Sequence, residues 1–318
     1  MHDCSTALLP FYPPNPCFVL RVVVAAAAAA ELVHVGHKDA AIRTLHEALT
    51  SRRFRTTWQK SLEDIAKRYI DLCAEKRRAK EAKDGLYQYR GICQSANSAS
   101  LEEVIRHFLN GSENRARSAR ARATEENAAA AAAAAASPVP LTPEALFLNS
   151  VSGETSAERR DRSLVTPWLK YLWESYRTVL DILKNNQKLE QLYQVRLSLS
   201  LSLLSLYSFG LLTSLSLSLS LSLSLTQETA SRALDFCLQY ERKTDFRRLT
   251  ETLHNHVGNL IKYQHQSQGV NINSPETLQA HIETRLKALN VAMSLELWQV
   301  RAHSMFAVRV ASKQASKD

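Results

Sequence analysis

Large apolar residues recur every three or four positions through most of this chain, and this spacing constrains its fold more than any other feature. The clearest case lies in residues 56–78. There the apolar residues stand four, three, four and three positions apart: Trp58, Leu62, Ile65, Tyr69 and Leu72. Such spacing puts the apolar side chains on one face of an α-helix. Similar stripes predict further helices over 25–36, 39–51, 80–96, 100–136, 166–183, 246–260 and 275–293.

The composition favours the same fold class. The chain has 318 residues, of which only 8 are Gly and 9 are Pro. Helix interiors reject both residue types, whereas a β-sandwich or an α/β enzyme normally contains more Gly. Because the helices follow one another with no strand pattern between them, we predict an all-α solenoid of irregular helix pairs. A single compact bundle is the structural alternative, since no strict repeat of about 34 residues is visible.

A near-perfect alternation of Ser and Leu runs from Leu197 to Leu225 and interrupts the helical pattern. No charged residue lies between Leu197 and Glu228. The stretch is long enough for a transmembrane helix, but only half of its residues are apolar. Its period of two suits a β-strand, although the flanking segments have helical period. If exposed, such a segment is prone to aggregate.

A third interpretation of this stretch concerns the gene. The stretch follows Gln194-Val195-Arg196, and a second copy of that tripeptide is Gln299-Val300-Arg301. A splice donor read in frame can encode Gln-Val-Arg, a CT-rich tract encodes alternating Ser and Leu, and the CAG that ends an intron encodes Gln. We therefore interpret 195–227 as a translated intron and 300–318 as read-through from a second donor. Removing 195–227 leaves one continuous helical face of Leu189, Tyr193, Ala230, Leu234 and Cys237.

Local signals predict where some helices begin. Ser100 followed three positions later by Glu103 forms a capping box, so a helix is expected to begin at Ser100. We expect this helix to continue as a solvated, charged arm into the polyalanine run at 128–136. Thr166 followed by Pro167 marks the start of a later helix.

Several short segments resemble, in order and spacing, those of one protein family. In the first half of the chain they are Thr57-Trp58-Gln59-Lys60, Gly85-Leu86-Tyr87-Gln88-Tyr89-Arg90, Ser100-Leu101-Glu102-Glu103-Val104 and Val151-Ser152-Gly153-Glu154. In the second half they are Thr166-Pro167-Trp168, Leu172-Trp173-Glu174-Ser175-Tyr176-Arg177, Phe236-Cys237-Leu238-Gln239-Tyr240 and Glu296-Leu297-Trp298-Gln299. No single motif is specific, but the combination is. The chain resembles the N-terminal region of the largest (A) subunit of eukaryotic translation initiation factor 3.

The resemblance implies a fold and a role. The implied fold is an irregular tetratricopeptide-like helical-repeat solenoid that leads into a PCI domain, a helical module that pairs with sister subunits. The implied role is a cytoplasmic scaffold that helps to recruit mRNA and to assemble the factor on the small ribosomal subunit. The implied partners are the B and C subunits of the factor, the small ribosomal subunit, mRNA and rRNA. The alternatives are a scaffold of another PCI-type complex, such as the proteasome lid or the signalosome, and a membrane protein anchored by 195–227.

The resemblance and the composition together predict a domain organisation. Residues 1–24 are predicted to be an atypical, disordered N-terminus, and 25–136 to be helical repeats ending in a charged and polyalanine helix. Residues 137–164 are predicted to be a linker. Helical repeats are expected again in 165–194 and 228–299, leading toward a PCI domain that this chain lacks, with the low-complexity insertion 195–227 between them. Residues 300–318 are predicted to be an atypical tail.

The residues predict no catalytic or cofactor-binding site. The sequence contains no Gly-rich phosphate loop and no GxSxG or HExxH motif. A metal site that combines Cys237, His254, His256 and His265 is conceivable, but His254 and His256 are two positions apart and face different sides of a helix. We expect no metal, no cofactor, no small-molecule substrate and no membrane attachment. The five cysteines include no CxxC pair, which favours free thiols in a reducing compartment.

Basic residues are the candidate contacts with partners, because the net charge of +9 favours an acidic one. Two clusters at predicted inter-helix turns are candidates for binding RNA phosphates or an acidic protein of the complex: Arg52, Arg53, Arg55, Lys76, Arg77, Arg78 and Lys80. For each residue the plainer interpretation is a solvated helix end, where cations complement the helix dipole. The same two interpretations apply to the arginines of the charged arm: Arg115, Arg117, Arg120 and Arg122.

Overall fold

The computed structural model describes residues 16–51, 59–136, 143–153, 156–184, 225–263 and 275–297. All regular secondary structure within these residues is α-helical, as predicted. The helices in chain order are α1 (Pro16–His34), α2 (Lys38–Thr50), α3 (Lys60–Glu75), α4 (Ala79–Ala96), α5 (Ser98–Ala136), α6 (Pro143–Ser152), α7 (Ser156–Leu164), α8 (Thr166–Lys184), α9 (Leu225–Gln239), α10 (Lys243–Tyr263) and α11 (Pro275–Ser294).

The helices pack mainly against their neighbours along the chain. Helix α1 packs against α2, α2 against α3, and α3 against both α4 and α5. Helices α5 and α8 pack together, α8 contacts α9 and α10, and α9 contacts α10 and α11. Buried apolar side chains form one cluster that extends from Ala29 to Leu297. The predicted fold class, an irregular array of tetratricopeptide-like helix pairs, is confirmed.

Most of the predicted apolar stripes form this core. The large side chains that are at most 2% exposed include members of the predicted stripes of α2, α3, α4, α5 and α10: Ile42, Leu45, Leu49, Leu62, Ile65, Tyr69, Leu86, Tyr89, Ile105 and Phe246. Burying a side chain of this size contributes about 1.5–3 kcal/mol to folding. The hydrophobic periodicity therefore identified the elements that hold the helices together.

One type of turn recurs at the ends of several helices. After α3, Arg77 adopts a φ of 57°, and the Arg78 N–H donates to the Cys73 carbonyl at 2.8 Å. This Schellman arrangement satisfies carbonyls that a helix end leaves free. The residues with positive φ in the equivalent turns after α1, α9 and α11 are Gly36, Glu241 and Glu296. Of these four residues only the glycine belongs to a type that favours positive φ, and left-handed Arg and Glu carry no sequence signature.

The predicted capping box at Ser100 is wrong. Helix α5 begins at Ser98, and the side-chain oxygen of Asn97 accepts a hydrogen bond from the Ser100 N–H at 3.3 Å. Asn97 therefore caps the helix. Glu103, the other half of the predicted box, pairs with a lysine of α3 instead. Ser100 is buried, because the first turn of α5 lies against α3 and α4.

A buried polar network explains why Ser100 is a serine. Its hydroxyl donates to Glu63 Oε2 at 2.6 Å and lies 2.6 Å from the Tyr89 hydroxyl. Lys67 donates to Glu63 at 2.8 Å and to Glu103 at 2.6 Å. Burial alone raises the pKa of Glu63, but the hydrogen bonds from Lys67 and Ser100 outweigh it and lower the pKa. The ionised carboxylate thus links α3 to α5 within the core.

The predicted solvated arm is packed along one face. Helix α5 is continuous for 39 residues and ends in the polyalanine run, as predicted. Three alanines of its arginine-rich part are nevertheless at most 4% exposed: Ala116, Ala119 and Ala123. Helices α7 and α8 pack on α5. The small alanine side chains permit this close approach, while Arg117 and Arg122 between them are exposed.

Two segments that the sequence predicts to be irregular contain helices. Residues 16–24 fall in the predicted disordered N-terminus but form the first half of α1, and 1–15 lie outside the described residues. The predicted linker 137–164 contains α6 and α7. Helix α7 packs against α5 and α8, so this segment is more than a connection. Its pattern escaped prediction because helices of 10 and 9 residues are too short to show a clear period.

The last helix buries a different face from the predicted one. The sequence places Ile282, Leu286, Leu289 and Met293 on the stripe of α11, yet Leu286 is 47% exposed and Met293 is 43% exposed. Among the described side chains, the buried residues of α11 and of the turn after it are Ala288, Val291, Ala292, Leu295 and Leu297. Two of these are alanines, which let α11 approach α9 closely. In α11, close packing through small residues therefore decides which face is buried, and two of the large apolar residues of the predicted stripe stay exposed.

The helices on either side of the Ser-Leu stretch pack against each other. Helix α8 ends at Lys184 and α9 begins at Leu225, and the two are in contact. Residues 185–224, which hold most of the predicted insertion, lie outside the described residues. The last three residues of the predicted insertion, 225–227, form the first turn of α9 and are buried. The helical repeats before and after the insertion therefore belong to one packed unit.

Ion pairs reinforce this junction. Glu228 on α9 accepts a hydrogen bond from Arg106 on α5 at 2.5 Å and one from Arg232 at 2.7 Å. Arg232 also donates to Asn110 at 2.7 Å and lies 3.4 Å from Glu113. The arginine and glutamate side chains of these pairs are between one fifth and about one third exposed. They join the helix that follows the insertion to the long helix that precedes it.

Candidate partner-binding surface

The structure describes four of the seven basic residues predicted to contact partners. They are the three residues of the α3–α4 turn and one in the first turn of α4: Lys76, Arg77, Arg78 and Lys80. The other three, Arg52, Arg53 and Arg55, lie outside the described residues. We call the four described residues the basic turn. Their positions follow from the Schellman motif, which forces the chain from α3 directly into α4.

Carboxylates of neighbouring helices surround the basic turn. Arg78 donates to Asp39 on α2 and to Glu81 on α4, both at 2.8 Å. The Glu81 carboxylate raises the pKa of Arg78. Lys76 lies 3.9 Å from Asp39. Exposed pairs of this kind contribute little to stability, so their main effect is to compensate part of the positive charge.

Arg77 connects the basic turn to the start of α8. Its guanidinium carbon lies 5.8 Å from the ring centroid of Trp168. A cation over an indole ring contributes about 0.5–1 kcal/mol at an exposed position. Arg77 therefore has a packing role, as Arg78 does, and neither is a free cation awaiting a ligand. The sequence predicted the cluster but did not show which of its charges the fold uses.

Lys80 lies in the first turn of α4, at the edge of the basic turn. It is exposed and forms no ion pair with any residue in the described ranges. Lys76 is also exposed, and its separation from Asp39 is the longest ion-pair distance at the turn. An anionic partner that approaches this turn meets Lys76 and Lys80 first.

A second basic turn of the same construction joins α9 to α10. Arg242 follows the left-handed Glu241 and donates to Asp245 three residues later at 2.7 Å, just as Arg78 donates to Glu81. The exposed cations beside it are Lys243, Arg247 and Arg248. This surface was not predicted from the sequence. The signal that both turns share is an arginine just after a helix, with a carboxylate three residues on.

The arginines of α5 are partly used within the fold. Arg115 donates to the Asp71 carbonyl on α3 at 3.2 Å, and the Arg120 guanidinium lies 5.2 Å from the ring centroid of Tyr240. Arg117 donates to Asn114 on its own helix at 3.1 Å, and Arg122 is exposed. Two of the four predicted arginines therefore hold other helices, and two face solvent.

No metal site appears in the parts of the chain that the structure describes, where no three His, Cys, Asp or Glu side chains are grouped to hold an ion. His254 is exposed while His256 is buried, so the two face different sides of α10 as expected. Burial raises the pKa of the Cys237 thiol to about 12, which keeps it protonated. Cys73 and Cys93 are also buried, and neither forms a disulfide. His265 lies outside these ranges.

The length and hydropathy of the described helices bear on the hypothesis of a membrane anchor. None of the helices there is both long enough and apolar enough to cross a bilayer. The Ser-Leu stretch, on which the hypothesis of a membrane anchor depends, falls almost wholly in 185–224 and so is not covered by this finding.

A comparison with protein families matches nearly the whole chain. The family model described as "eIF3a, PCI domain, TPR-like region" matches residues 25–207 and 222–317. The interval it omits, 208–221, falls inside the predicted insertion 195–227. The match includes the helix pairs on both sides of the insertion, which the structure shows packed as one unit.

Individual relatives point to the same family. The A subunit of eukaryotic translation initiation factor 3 from Aspergillus oryzae is 44% identical over 276 residues, which cover 85% of this chain and 23% of the relative. The corresponding proteins of Nicotiana tabacum and Arabidopsis thaliana are 44% and 43% identical over 85% of the chain and 24% of their own lengths. The chain thus spans about a quarter of the length of these relatives. These matches favour the initiation factor over a proteasome-lid or signalosome scaffold. The chain belongs to the family of the A subunit of eukaryotic translation initiation factor 3.

Proposed function

We propose that this chain is a non-catalytic helical scaffold of translation initiation factor 3, acting in the cytoplasm. Its role is to help recruit mRNA and to help assemble the complex on the small ribosomal subunit. The proposed partners are the B and C subunits of the factor, the small ribosomal subunit, mRNA and rRNA. The observation that carries this proposal is the match of the eIF3a family model to the helix pairs on both sides of the Ser-Leu stretch.

The packing of the described helices supports a scaffold role. A scaffold must keep distant surfaces in a fixed relation, and a single continuous core does this better than helices joined only by the chain. Here α5 contacts α3, α4, α7 and α8, so one long helix joins the early and the later pairs. Glu228 and Arg232 extend the junction to α9. Arrays of this kind offer long helical faces to protein partners.

Association with the initiation factor is the direct test. The chain, and a variant lacking 195–227, would be tagged and incubated in a eukaryotic translation extract. We expect both the other factor 3 subunits and small ribosomal subunits to copurify and to cosediment on a sucrose gradient. A variant with a charge in the core, Leu234→Asp, provides the unfolded control, because Leu234 is 0% exposed. If the folded variants bring down no other component of factor 3, the proposed function is wrong.

We further propose that the basic turn contacts an anionic partner, with RNA phosphates as the first expectation. Lys76 and Lys80 carry this contact, since Arg77 and Arg78 are engaged within the fold. The three arginines outside the described residues, Arg52, Arg53 and Arg55, remain part of the prediction. Each lysine that neutralises a phosphate contributes about one unit to the slope of log affinity against log salt.

Charge reversal at the turn tests this contact. The double variant Lys76→Glu/Lys80→Glu should weaken binding to small ribosomal subunits and flatten its salt dependence by about 1–2 units. The matched control reverses two exposed lysines on other helices, Lys170 and Lys262. Equal losses in both double variants would show that net charge alone matters. Loss of binding to an acidic protein of factor 3, with unchanged ribosome binding, would instead assign the turn to a protein partner.

The interpretation of 195–227 as a translated intron also stays a prediction. Sequencing the mature transcript across these codons tests it. We expect the Ser-Leu codons to be absent and Gln194 to be joined directly to Glu228. Retention of these codons in the mature transcript would contradict the interpretation and would leave the membrane-anchor hypothesis for 195–227 as the alternative.

A further inference from the structure

Hydroxyl groups that follow closely spaced arginines are potential substrates of serine/threonine kinases. Many such kinases select their substrates by charge, and a common requirement is an arginine three residues before the hydroxyl. In the described ranges three hydroxyl residues meet this requirement: Ser118, Ser163 and Thr250. Ser163 has the densest basic context, with Arg159, Arg160 and Arg162 before it. The fold decides which of the three a kinase can reach.

A kinase binds its substrate segment in an extended form, so local helix stability determines access. Ser118 lies in the middle of the 39-residue α5, between the buried Ala116 and Ala119. Thr250 lies inside the 21-residue α10 next to the buried Leu249, and is itself half-buried. Opening either segment removes core side chains from their neighbours. Both sites are therefore protected by the fold.

Ser163 is in the opposite situation. It lies in the last turn of α7, which has only 9 residues, and Asp161, Arg162 and Ser163 are all exposed. A helix this short is not stable in water on its own and depends on its packing contacts. The Ser163 hydroxyl donates to the carbonyl of Arg160 within the same turn, at 2.8 Å. Opening residues 160–163 exposes no buried side chain, although the half-buried Leu164 and the buried Val165, which is 8% exposed, follow directly.

Part of the contact between α7 and α5 is polar and accessible. The Asn127 side chain on α5 donates to Asp161 Oδ1 at 2.9 Å, and its oxygen accepts from Arg160 Nε at 3.0 Å. We call these two hydrogen bonds of Asn127 the clamp on α7. Arg160 forms one of them, and Arg160 is also the arginine that a kinase would recognise. Kinase recognition and release of α7 depend on the same side chain.

We propose that Ser163 is a phosphorylation site for a serine kinase that recognises arginine three residues before its target. The kinase uses Mg²⁺-bound ATP: the Ser163 Oγ forms a bond to the γ-phosphorus, the bond from that phosphorus to the ADP oxygen breaks, and the hydroxyl proton passes to the kinase's catalytic carboxylate. The product is phosphoserine and ADP. This inference does not depend on the proposed scaffold function.

The phosphate also changes how α7 packs. It carries close to two negative charges and accepts strong hydrogen bonds from guanidinium groups. Arg160 is one turn away on the same helix, so the phosphate competes with Asn127 for it. Ser163 lies at the C-terminal end of α7 and three residues before α8 begins at Thr166, so the dipoles of the two helices act on the phosphate in opposite directions and the competition for Arg160 decides the outcome. Phosphorylation therefore loosens α7 from α5.

The test is phosphorylation of the whole chain by a purified kinase of this specificity, with site-resolved mass spectrometry over time. We expect Ser163 to be labelled at least about tenfold faster than Ser118 or Thr250, since only its segment opens at low cost. Ser163→Ala should remove that signal. Faster labelling of Ser118 or Thr250 would overturn the proposal, because those sites share the arginine but not the accessible turn.

Two further variants separate recognition from accessibility. Asn127→Ala removes the clamp on α7 but leaves the arginines intact, so Ser163 should be labelled faster. Arg160→Ala removes the same clamp together with the arginine that the kinase reads, so labelling should fall below that of the unaltered chain. Equal rates in the two variants would show that the kinase does not read Arg160, and the proposal would be wrong. Circular dichroism of both variants checks that the helices remain folded.

Discussion

Replacing Gly85 with alanine is expected to destabilise the packing of α4 against α3. A Cβ atom at this position would lie 2.2 Å from Tyr69 Cε1 and 2.8 Å from Tyr69 Cδ1. Carbon atoms in good contact lie about 3.5–4.0 Å apart, so the ring would have to move by about 1 Å or more. Tyr69 has no room to do so, because it is 0% exposed and its hydroxyl donates to the Glu81 carbonyl at 2.8 Å.

The expected magnitude follows from opposing contributions. Alanine stabilises a helix interior by about 1 kcal/mol relative to glycine. Overpacking a rigid core costs about 1–3 kcal/mol, and a weakened Tyr69 hydrogen bond adds about 1 kcal/mol. The free energy of unfolding should therefore fall by about 1–3 kcal/mol. For a chain of 318 residues, with an unfolding entropy of about 2.1 cal/mol/K per residue, that corresponds to a decrease in Tm of roughly 1.5–4.5 °C.

The same helix supplies a matched control. Gly91 on α4 is exposed, and a Cβ there meets no atom within 4 Å. Gly91→Ala should therefore stabilise the chain by about 0.5–1 kcal/mol. Urea and thermal unfolding, followed by far-ultraviolet circular dichroism, measure both variants. If Gly85→Ala is as stable as Gly91→Ala, the reasoning is refuted. In a Tyr69→Leu background the cost of Gly85→Ala should shrink, since the ring edge is gone.

Further substitutions test the polar network and the junction. Ser100→Ala should lower the free energy of unfolding in urea by about 1–3 kcal/mol, because the buried Glu63 carboxylate and Tyr89 hydroxyl lose a hydrogen-bond partner. Folding lowers the pKa of Glu63, so its carboxylate stabilises the fold fully above the pKa of the unfolded chain. This stabilisation is lost as the pH falls through the lower pKa of the folded chain. In Glu63→Gln the free energy of unfolding should therefore depend less on pH on the acid side of the profile. Arg232→Ala should lower the free energy of unfolding by about 1–2 kcal/mol. The control Arg177→Ala, which removes an exposed pair with a separation of 3.8 Å, should change it by less than about 0.5 kcal/mol. Deleting 208–221 should leave cooperative thermal unfolding intact, because loop-closure entropy varies slowly with length; loss of a cooperative transition would contradict this.

Sequence periodicity predicted the fold because burial and helical period act on the same residues. Where large side chains repeat over several turns, as in the stripe around Tyr69, the predicted face is the buried one. The prediction failed where small residues decide the packing. In α11 the alanines at 288 and 292 are buried while Leu286 and Met293 face outward. Alanine contributes little to a hydrophobic pattern, but it lets helices approach closely, and that contact depends on the partner helix.

The candidate surface was predicted as a cluster of charges but not as a geometry. Sequence alone places Lys76 to Lys80 at a turn between helices. It does not show that Arg77 lies over Trp168, which is far away in the sequence, or that Arg78 binds Asp39 on α2. Such contacts depend on how helices stack. Which basic side chains are engaged within the fold, and which remain accessible to a partner, is therefore decided by the tertiary structure.

The junction at Glu228 has a consequence for the connectivity of the chain. Helices up to Lys184 and helices from Leu225 onward meet through their own surfaces, with Arg106 and Arg232 holding Glu228 between them. Covalent continuity between the two parts is then dispensable in principle, since complementary surfaces can find each other as separate molecules. Two polypeptides covering 1–184 and 225–318, expressed together, are expected to reassemble as complementing fragments. We therefore expect the polypeptide to tolerate a break between Lys184 and Leu225, because the described helices on either side already contact each other; failure of the two fragments to copurify would contradict this.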